Sequence, residues 1–207
     1  MTPDAQPVVG VLLAGGLARR MGGGDKCLCD LKGRPILAHV IARARPQVDC
    51  LVINANGDPG RFAPFGLPIV ADSLGPYAGP LAGILAGLEW ARDHLGVGAW
   101  VASFAADTPY FPIDWVARVR AAIAAAGADL GCCASGERSH PVFGLWPVRL
   151  AAALRQAMAA ETVRKIDAWT ARYHLVTVRF DIDPAGGDPF FNINAPADLA
   201  MARGVAG

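Results

Sequence analysis

Apolar residues recur along this chain in two alternating rhythms. Short runs rich in β-branched residues, Val8–Leu13, Cys50–Asn54, Ile69–Ala71 and Trp100–Ala105, suit buried strands. Between them Ile36, Leu37, Val40 and Ile41, and later Leu81, Ile84, Leu85 and Leu88, repeat at helical spacing. Pro35 sits near the first turn of the first helix, Pro46 stops it, and Asp30–Pro35 reads as a turn. Gly83 and Gly87, four apart, would let the second helix lie close to a sheet.

The second half keeps the pattern and then breaks it. Asp114–Ala126 predicts a helix with Trp115, Val116, Val119 and Ile123 on one face. Leu130–Ala134 then returns as a strand, 135–139 as a turn, and Pro141–Trp146 as another strand. Two strands joined by a turn interrupt the strand–helix alternation, so an antiparallel excursion is expected in a mostly parallel sheet. Helices follow at Leu150–Ala159 and from Glu161 to Trp169, then a strand at Tyr173–Phe180 and a terminal helix after Pro196. The stretches 58–68 and 183–189, rich in proline and glycine, read as loops within one domain covering residues 1–207. The expected fold is α/β: a three-layer sandwich around a mostly parallel, twisted, Rossmann-like sheet.

Chemistry gathers at the ends of the strands. The first strand breaks into Gly15 and Gly16, then Arg19, Arg20, Gly22, Gly23 and Gly24, and ends at Asp25 and Lys26. Glycines let backbone N–H groups approach an anion, and three cations supply the opposite charge. Lys26 is flanked by Asp25 and Cys27, so this is not a Walker loop, and the G-x-G-x-x-G spacing is absent. Asn54 ends the second strand, Asp72 follows the third, and Asp107 follows the fourth. Open parallel sheets bind ligands at that edge. Asn54 and Asp72 have an alternative reading as turn residues, and Asp107 one as a helix cap. As a functional group, Asp107 suits Mg²⁺, which takes oxygen ligands from one or two carboxylates and from substrate phosphates.

Composition narrows the classes. The 207 residues are 53% hydrophobic with a net charge of +1, so any anion site is local and a nucleic-acid-coating surface is not expected. The N-terminus lacks the pattern of a secretory signal, and the longest apolar stretch, near Gly79–Leu88, is too short for a bilayer. Cys27, Cys29, Cys50, Cys132 and Cys133 form no C-x-x-C pair. Free thiols in a reducing cytoplasm are the expectation.

The string Leu13-Ala14-Gly15-Gly16, Ala18-Arg19-Arg20-Met21-Gly22-Gly23, Asp25-Lys26 resembles the nucleotidyltransferase loop of the molybdenum cofactor guanylyltransferases. Asp107-Thr108-Pro109 and Phe190-x-Asn192-x-Asn194-x-Pro196 resemble further segments of that family, and the likeness runs from about Val9 to Leu199. It implies transfer of GMP from GTP to molybdopterin-bound molybdenum, with Mg²⁺ and release of pyrophosphate. Leu13, Ala14, Gly15, Lys26, Asn54, Asp72 and Asp107 would then bind the nucleotide. Arg19, Lys26 and Asp107 would be catalytic, Asp107 would hold the metal, and Asp72 would accept from the guanine N1–H and amine.

On the acceptor side the resemblance points to His140, Arg164, Lys165, Asn192 and Asn194. From the residues alone, His140 reads as a surface turn residue and Arg164-Lys165 equally as a solvated helix face. Partners implied are GTP, molybdopterin, cofactor-biosynthesis proteins and molybdoenzyme chaperones, with neither nucleic acid nor membrane. Three alternatives stay open. A cytidylyltransferase of the same cofactor would typically have Ala-Gly where Gly15-Gly16 stands. A sugar-phosphate nucleotidyltransferase would carry an acid at Asn192. A GTP-binding partner without catalysis is the third.

Overall fold

Alternate residues of the first strand, β1 (Val8–Leu13), feed two different cores: Val8 and Leu12 face one, Val9 and Val11 the other. A strand apolar on both faces belongs inside a sheet covered on both sides, and β1 is central. The computed structural model describes residues 6–15, 25–75, 79–183 and 187–204.

After β1 the chain forms a small hairpin, β2 (Asp30–Leu31) and β3 (Arg34–Pro35). Lys32 and Gly33 both have positive φ at its turn, so the expected turn is there and closes two short strands. The succession continues with α1 (Ile36–Ala44), β4 (Cys50–Asn54), β5 (Ile69–Val70), α2 (Pro80–Leu95), β6 (Trp100–Ala105) and α3 (Trp115–Ala126). Then come β7 (Leu130–Ser135), β8 (Arg138–Pro147), α4 (Ala151–Ala160), α5 (Ile166–Thr170), β9 (Leu175–Phe180) and α6 (Pro196–Gly204).

Seven strands make one sheet in the order β5-β4-β1-β6-β8-β7-β9. Pairing is parallel except on either side of β8, which runs antiparallel to both β6 and β7. The antiparallel excursion is therefore one strand inserted within the sheet. Helices α1, α3 and α6 cover one face through Ile36, Val40, Trp115, Val119 and Ala202. Helices α2, α4 and α5 cover the other through Leu81, Leu85, Leu154, Met158 and Trp169. Successive strands leave β1 first toward β4 and then toward β6, which places a crevice at the carboxyl end of β1.

The glycine pair on α2 has the expected consequence. A methyl on Gly83 would lie 2.2 Å from Asn54 Oδ1, and one on Gly87 would lie 3.0 Å from Val11 Cβ. The helix thus rests directly on β1 and β4.

Two expectations are corrected. Residues 161–165 are not helical, and α5 begins only at Ile166. Thr162 takes φ 57°, and the Val163 N–H returns to Ala157 O at 3.1 Å, closing α4 instead of opening a new helix. His140 lies inside β8 and is buried, so it is not a surface turn residue. The turn is shorter than expected because β8 already begins at Arg138. The 58–68 loop contains a 3-10 run, Pro59–Phe65, capped by Asp58 and anchored by buried Phe62.

Candidate active site

The backbone at the end of β1 is pinned from both sides. Leu13 stands in register with Asn54 of β4 and Ala105 of β6. The Ala14 N–H donates to Asn54 O at 2.9 Å, and the Ala106 N–H reaches Leu13 O at 3.4 Å. A cleft lined by Leu13, Ala14, Lys26, Cys27, Ala106 and Asp107 opens there. Gly15 leads out of it, and the chain returns at Asp25. Arg19 lies outside the described residues, as do 16–24 as a whole.

At one end of this crevice Lys26 meets Asp107. The Lys26 ammonium forms an ion pair with Asp107 Oδ2, both side chains being less than one-fifth exposed. It also donates to Asn194 Oδ1 at 2.7 Å. Thr108 Oγ1 lies 2.9 Å from Asn192 Oδ1 and 3.2 Å from Asp107 Oδ1, so its single proton serves one of them at a time. The Ile193 N–H donates to Asp107 O at 2.9 Å, holding the segment between the two asparagines against the end of β6. Asn192 and Asn194, expected on the acceptor side, thus gather at the lysine–aspartate pair.

The other end is an amide–carboxylate network. Buried Asn54 donates both protons of its side-chain amide, to Val70 O at 3.1 Å and to Asp72 Oδ1 at 2.9 Å. Asn56 donates to Asp72 Oδ2 at 2.8 Å and accepts from the Asp72 N–H at 2.9 Å. Two amides therefore fix the Asp72 carboxylate, while each oxygen keeps a lone pair for a further donor. Asn54 is no turn residue; it orients Asp72. Asp72 follows β5 and Asp107 follows β6, with β4 and β1 between them. Three inter-strand spacings of about 4.8 Å separate the ends of β5 and β6 by on the order of 14 Å. That is a nucleotide-sized span, with an acceptor pair at one end and a cation at the other.

The remaining residues lie elsewhere. Arg164 Nη1 donates to Met158 O at 2.7 Å and Val163 O at 3.0 Å, so it caps the last turn of α4, and Lys165 is exposed just before α5. Buried His140 belongs to a cluster with buried Ser135 and partly exposed Asp188. Burial in this cluster lowers its pKa, against a smaller opposing pull from Asp188.

Four residues and one contact escaped the sequence reading: Asn56, Thr108, Ser135 and Asp188, and the Asp25–Arg61 ion pair that ties the loop's return to the 59–65 run. Asn56 carried a signal, standing two residues beyond Asn54 at a strand end, and Thr108 lay in the Asp107-Thr108-Pro109 segment. The others are polar residues in ordinary loop or strand contexts, meaningful only once distant segments meet.

The donor set fits Mg²⁺. Asp107 offers one carboxylate, with amide oxygens of Asn192 and Asn194 nearby. Among the described residues no three His, Cys, Asp or Glu cluster as a metal cage. A Mg²⁺ ion held by one carboxylate together with substrate phosphates requires none. Cys27 lines the cleft as a neutral thiol, its pKa pushed up to about 12 by burial and then by Asp25 and Asp107.

Comparison with known proteins agrees with this fold. Residues 10–175 match the family model of the MobA-like NTP transferase domain. A Bradyrhizobium protein described as molybdenum cofactor guanylyltransferase is 54% identical over 199 residues, spanning 96% of this chain and 93% of its own length. One from Nitrobacter hamburgensis with the same description is 52% identical over 206 residues, spanning 100% and 98%. Among solved structures, molybdopterin-guanine dinucleotide biosynthesis protein A from Archaeoglobus fulgidus shares the fold with TM-score 0.71 and 23% identity, covering 95% of this chain and 96% of that one. A 4-diphosphocytidyl-2C-methyl-D-erythritol synthase from Anaerococcus prevotii shares it with TM-score 0.68 and 11% identity, covering 97% and 98%. With a crevice at the carboxyl end of β1, Lys26 against Asp107 and full-length relatives above half identity, the chain belongs to the MobA-like NTP transferase family, beside the molybdenum cofactor guanylyltransferases.

Proposed function

We propose that this protein transfers GMP from GTP to the terminal phosphate of molybdopterin-bound molybdenum cofactor, releasing pyrophosphate. The observation that carries the reading is the meeting of Lys26 and Asp107 beside the end of β1, with the Asp72 network across the same crevice. The full-length relatives described as molybdenum cofactor guanylyltransferases supply the acceptor.

A phosphate oxygen of the acceptor attacks the α-phosphorus of GTP, and the bond from that phosphorus to the β-phosphate oxygen breaks. Both reactants are anions, so alignment and charge neutralisation matter more than proton transfer. Lys26, with Arg19, would stabilise the charge developing on the phosphates. Leu13, Ala14 and Gly15 would form the backbone floor beneath them. Asp107 would hold Mg²⁺, whose contribution when bound is to neutralise phosphate oxygens. Asp72, oriented by Asn54 and Asn56, would accept from guanine. On the acceptor side Arg164 and Lys165 would meet the incoming phosphate, whereas buried His140 would act only through its neighbours. We place the reaction in the cytoplasm, where cofactor-biosynthesis proteins would deliver molybdopterin and molybdoenzyme chaperones would take the product.

The test is pyrophosphate release from GTP, ATP, CTP and UTP in turn, with purified molybdenum cofactor and Mg²⁺. Release with GTP alone supports the reading. Release preferentially from another nucleotide, or none with any, overturns it.

A further inference from the structure

Buried Ser135 and His140 meet partly exposed Asp188 in a cluster that the proposed chemistry leaves unused. Ser135 ends β7, His140 lies in β8, and Asp188 precedes the asparagines of the crevice. Ser135 Oγ is 2.6 Å from His140 Nε2 and 2.8 Å from Asp188 Oδ1. Asp188 Oδ1 also accepts the Phe190 N–H at 2.9 Å. The three residue types are those of a nucleophilic triad, but the connections are not. In a triad the imidazole takes the serine proton and the carboxylate holds the far ring nitrogen. Here the carboxylate accepts the serine proton, so Nε2 must donate to Ser135 Oγ. The hydroxyl is a relay between two elements, and its oxygen is not activated.

What the relay holds is the segment from Asp188 to Asn194. Phe190 stacks on the His140 ring at 4.6 Å and packs on Phe143 at 4.9 Å. Two residues on, Asn192 Oδ1 faces Thr108 Oγ1, and the Ile193 N–H is bonded to Asp107 O. Asn194 Oδ1 takes the Lys26 ammonium, and beyond it the Asp198 carboxylate accepts the N–H groups of Asn194 and Ala195 at 2.7 and 2.8 Å. The segment is a strap across the end of β6, fastened at both ends, with its two amide oxygens delivered in between.

We propose that Ser135, His140 and Asp188 form a latch that positions this strap, and through it the amide oxygens of Asn192 and Asn194, against Asp107 and Lys26. The three act as positioning residues and touch no reacting atom. The inference rests on the reading of Lys26 and Asp107 as the reaction centre.

The test is a double-mutant cycle. Asp188→Ala removes an acceptor from Ser135 and Phe190, and should lower kcat for guanylyl transfer about tenfold. KM for GTP should move less, because the base end of the crevice lies beyond β1 and β4. Asp188→Asn keeps an acceptor oxygen and should recover most of the rate. In an Asn192→Ala, Asn194→Ala background, Asp188→Ala should cost less than about twofold more, because the latch would have nothing left to deliver. Ser135→Ala repeats the cycle should Asp188→Ala fail to fold.

An undiminished tenfold loss in that background, no loss in the wild type, or an Asp188→Asn variant as slow as Asp188→Ala would each overturn the latch. Amide exchange judges it apart from the reaction. Exchange at Phe190, Phe191 and Ile193 should quicken in Asp188→Ala and stay slow in Asp188→Asn. Unchanged exchange overturns the latch even in a protein that transfers GMP. Should the wild type transfer no GMP, the functional reading fails, and the exchange result alone decides whether the strap is latched.

Discussion

Lys26 is paired with Asp107 across the end of β1, and the same ammonium reaches Asn194. The contact joins the return of the glycine-rich loop, the end of a central strand and the segment before the last helix. It also sets the two groups proposed to serve phosphate and cation against each other. With both side chains less than one-fifth exposed, neither charge can be left unpaired, so a triphosphate and its metal would have to replace both partners together.

Close packing of α2 gives the first prediction. A Gly83→Ala methyl would sit 2.2 Å from Asn54 Oδ1 and 2.7 Å from Leu13 Cδ2. Asn54 cannot swing aside without breaking its bonds to Val70 and Asp72. The variant should lose about 1–3 kcal/mol of stability in urea unfolding despite alanine's better helix propensity. It should also bind GTP more weakly. Wild-type stability would mean that α2 does not lie so close.

Base preference should follow Asp72. Asp72→Ala removes the acceptor proposed for two guanine donors and should cost about 1–3 kcal/mol of the preference for GTP. Asn56→Ala frees one Asp72 oxygen and the Asp72 N–H from their partner, and should erode the preference by a smaller amount. Calorimetry with four nucleotides measures both. Unchanged selectivity in Asp72→Ala would remove the base from this end of the crevice.

The thiols should be bystanders. With the Cys27 pKa pushed up to about 12 by burial, only about one molecule in 10⁴ carries that thiolate at pH 8. Mass mapping after alkylation at pH 8 should find Cys27 unmodified in the folded protein and modified after unfolding. A Cys27→Ser, Cys29→Ser variant should keep most of its turnover. Loss of turnover in a folded variant would call for a nucleophilic step that the mechanism lacks.

Much of this fold was legible in one dimension, because β1, β4 and β6 are buried runs and α1, α2 and α3 keep strong helical spacing. The glycine pair on α2 even signalled its close approach to the sheet. Parts of the site were legible for a related reason: Asn54, Asp72 and Asp107 are polar residues just where apolar strands end. Long-range partnership was not. Nothing local distinguishes Asn194 as a partner of Lys26, or Asp188 as a partner of Ser135. The helix expected from Glu161 failed because left-handed Thr162 is set by the closing of α4. His140 misled because a histidine before proline suits a turn, whereas burial between β7 and the 188–190 segment is a tertiary fact.

The central claim is that Asp107 and Lys26 do different work in one transfer reaction, and single-turnover GMP transfer across a Mg²⁺ titration tests it most directly. Asp107→Asn keeps the shape but loses the charge that matches a cation, so its rate should be much lower or recover only at high Mg²⁺. Lys26→Ala should be slower on the order of 10²–10³-fold at every Mg²⁺ concentration, as expected for one lost transition-state donor. Both should keep folded circular dichroism spectra. Wild-type transfer by Asp107→Asn at low Mg²⁺ would contradict the account, because the metal would then rest on another residue.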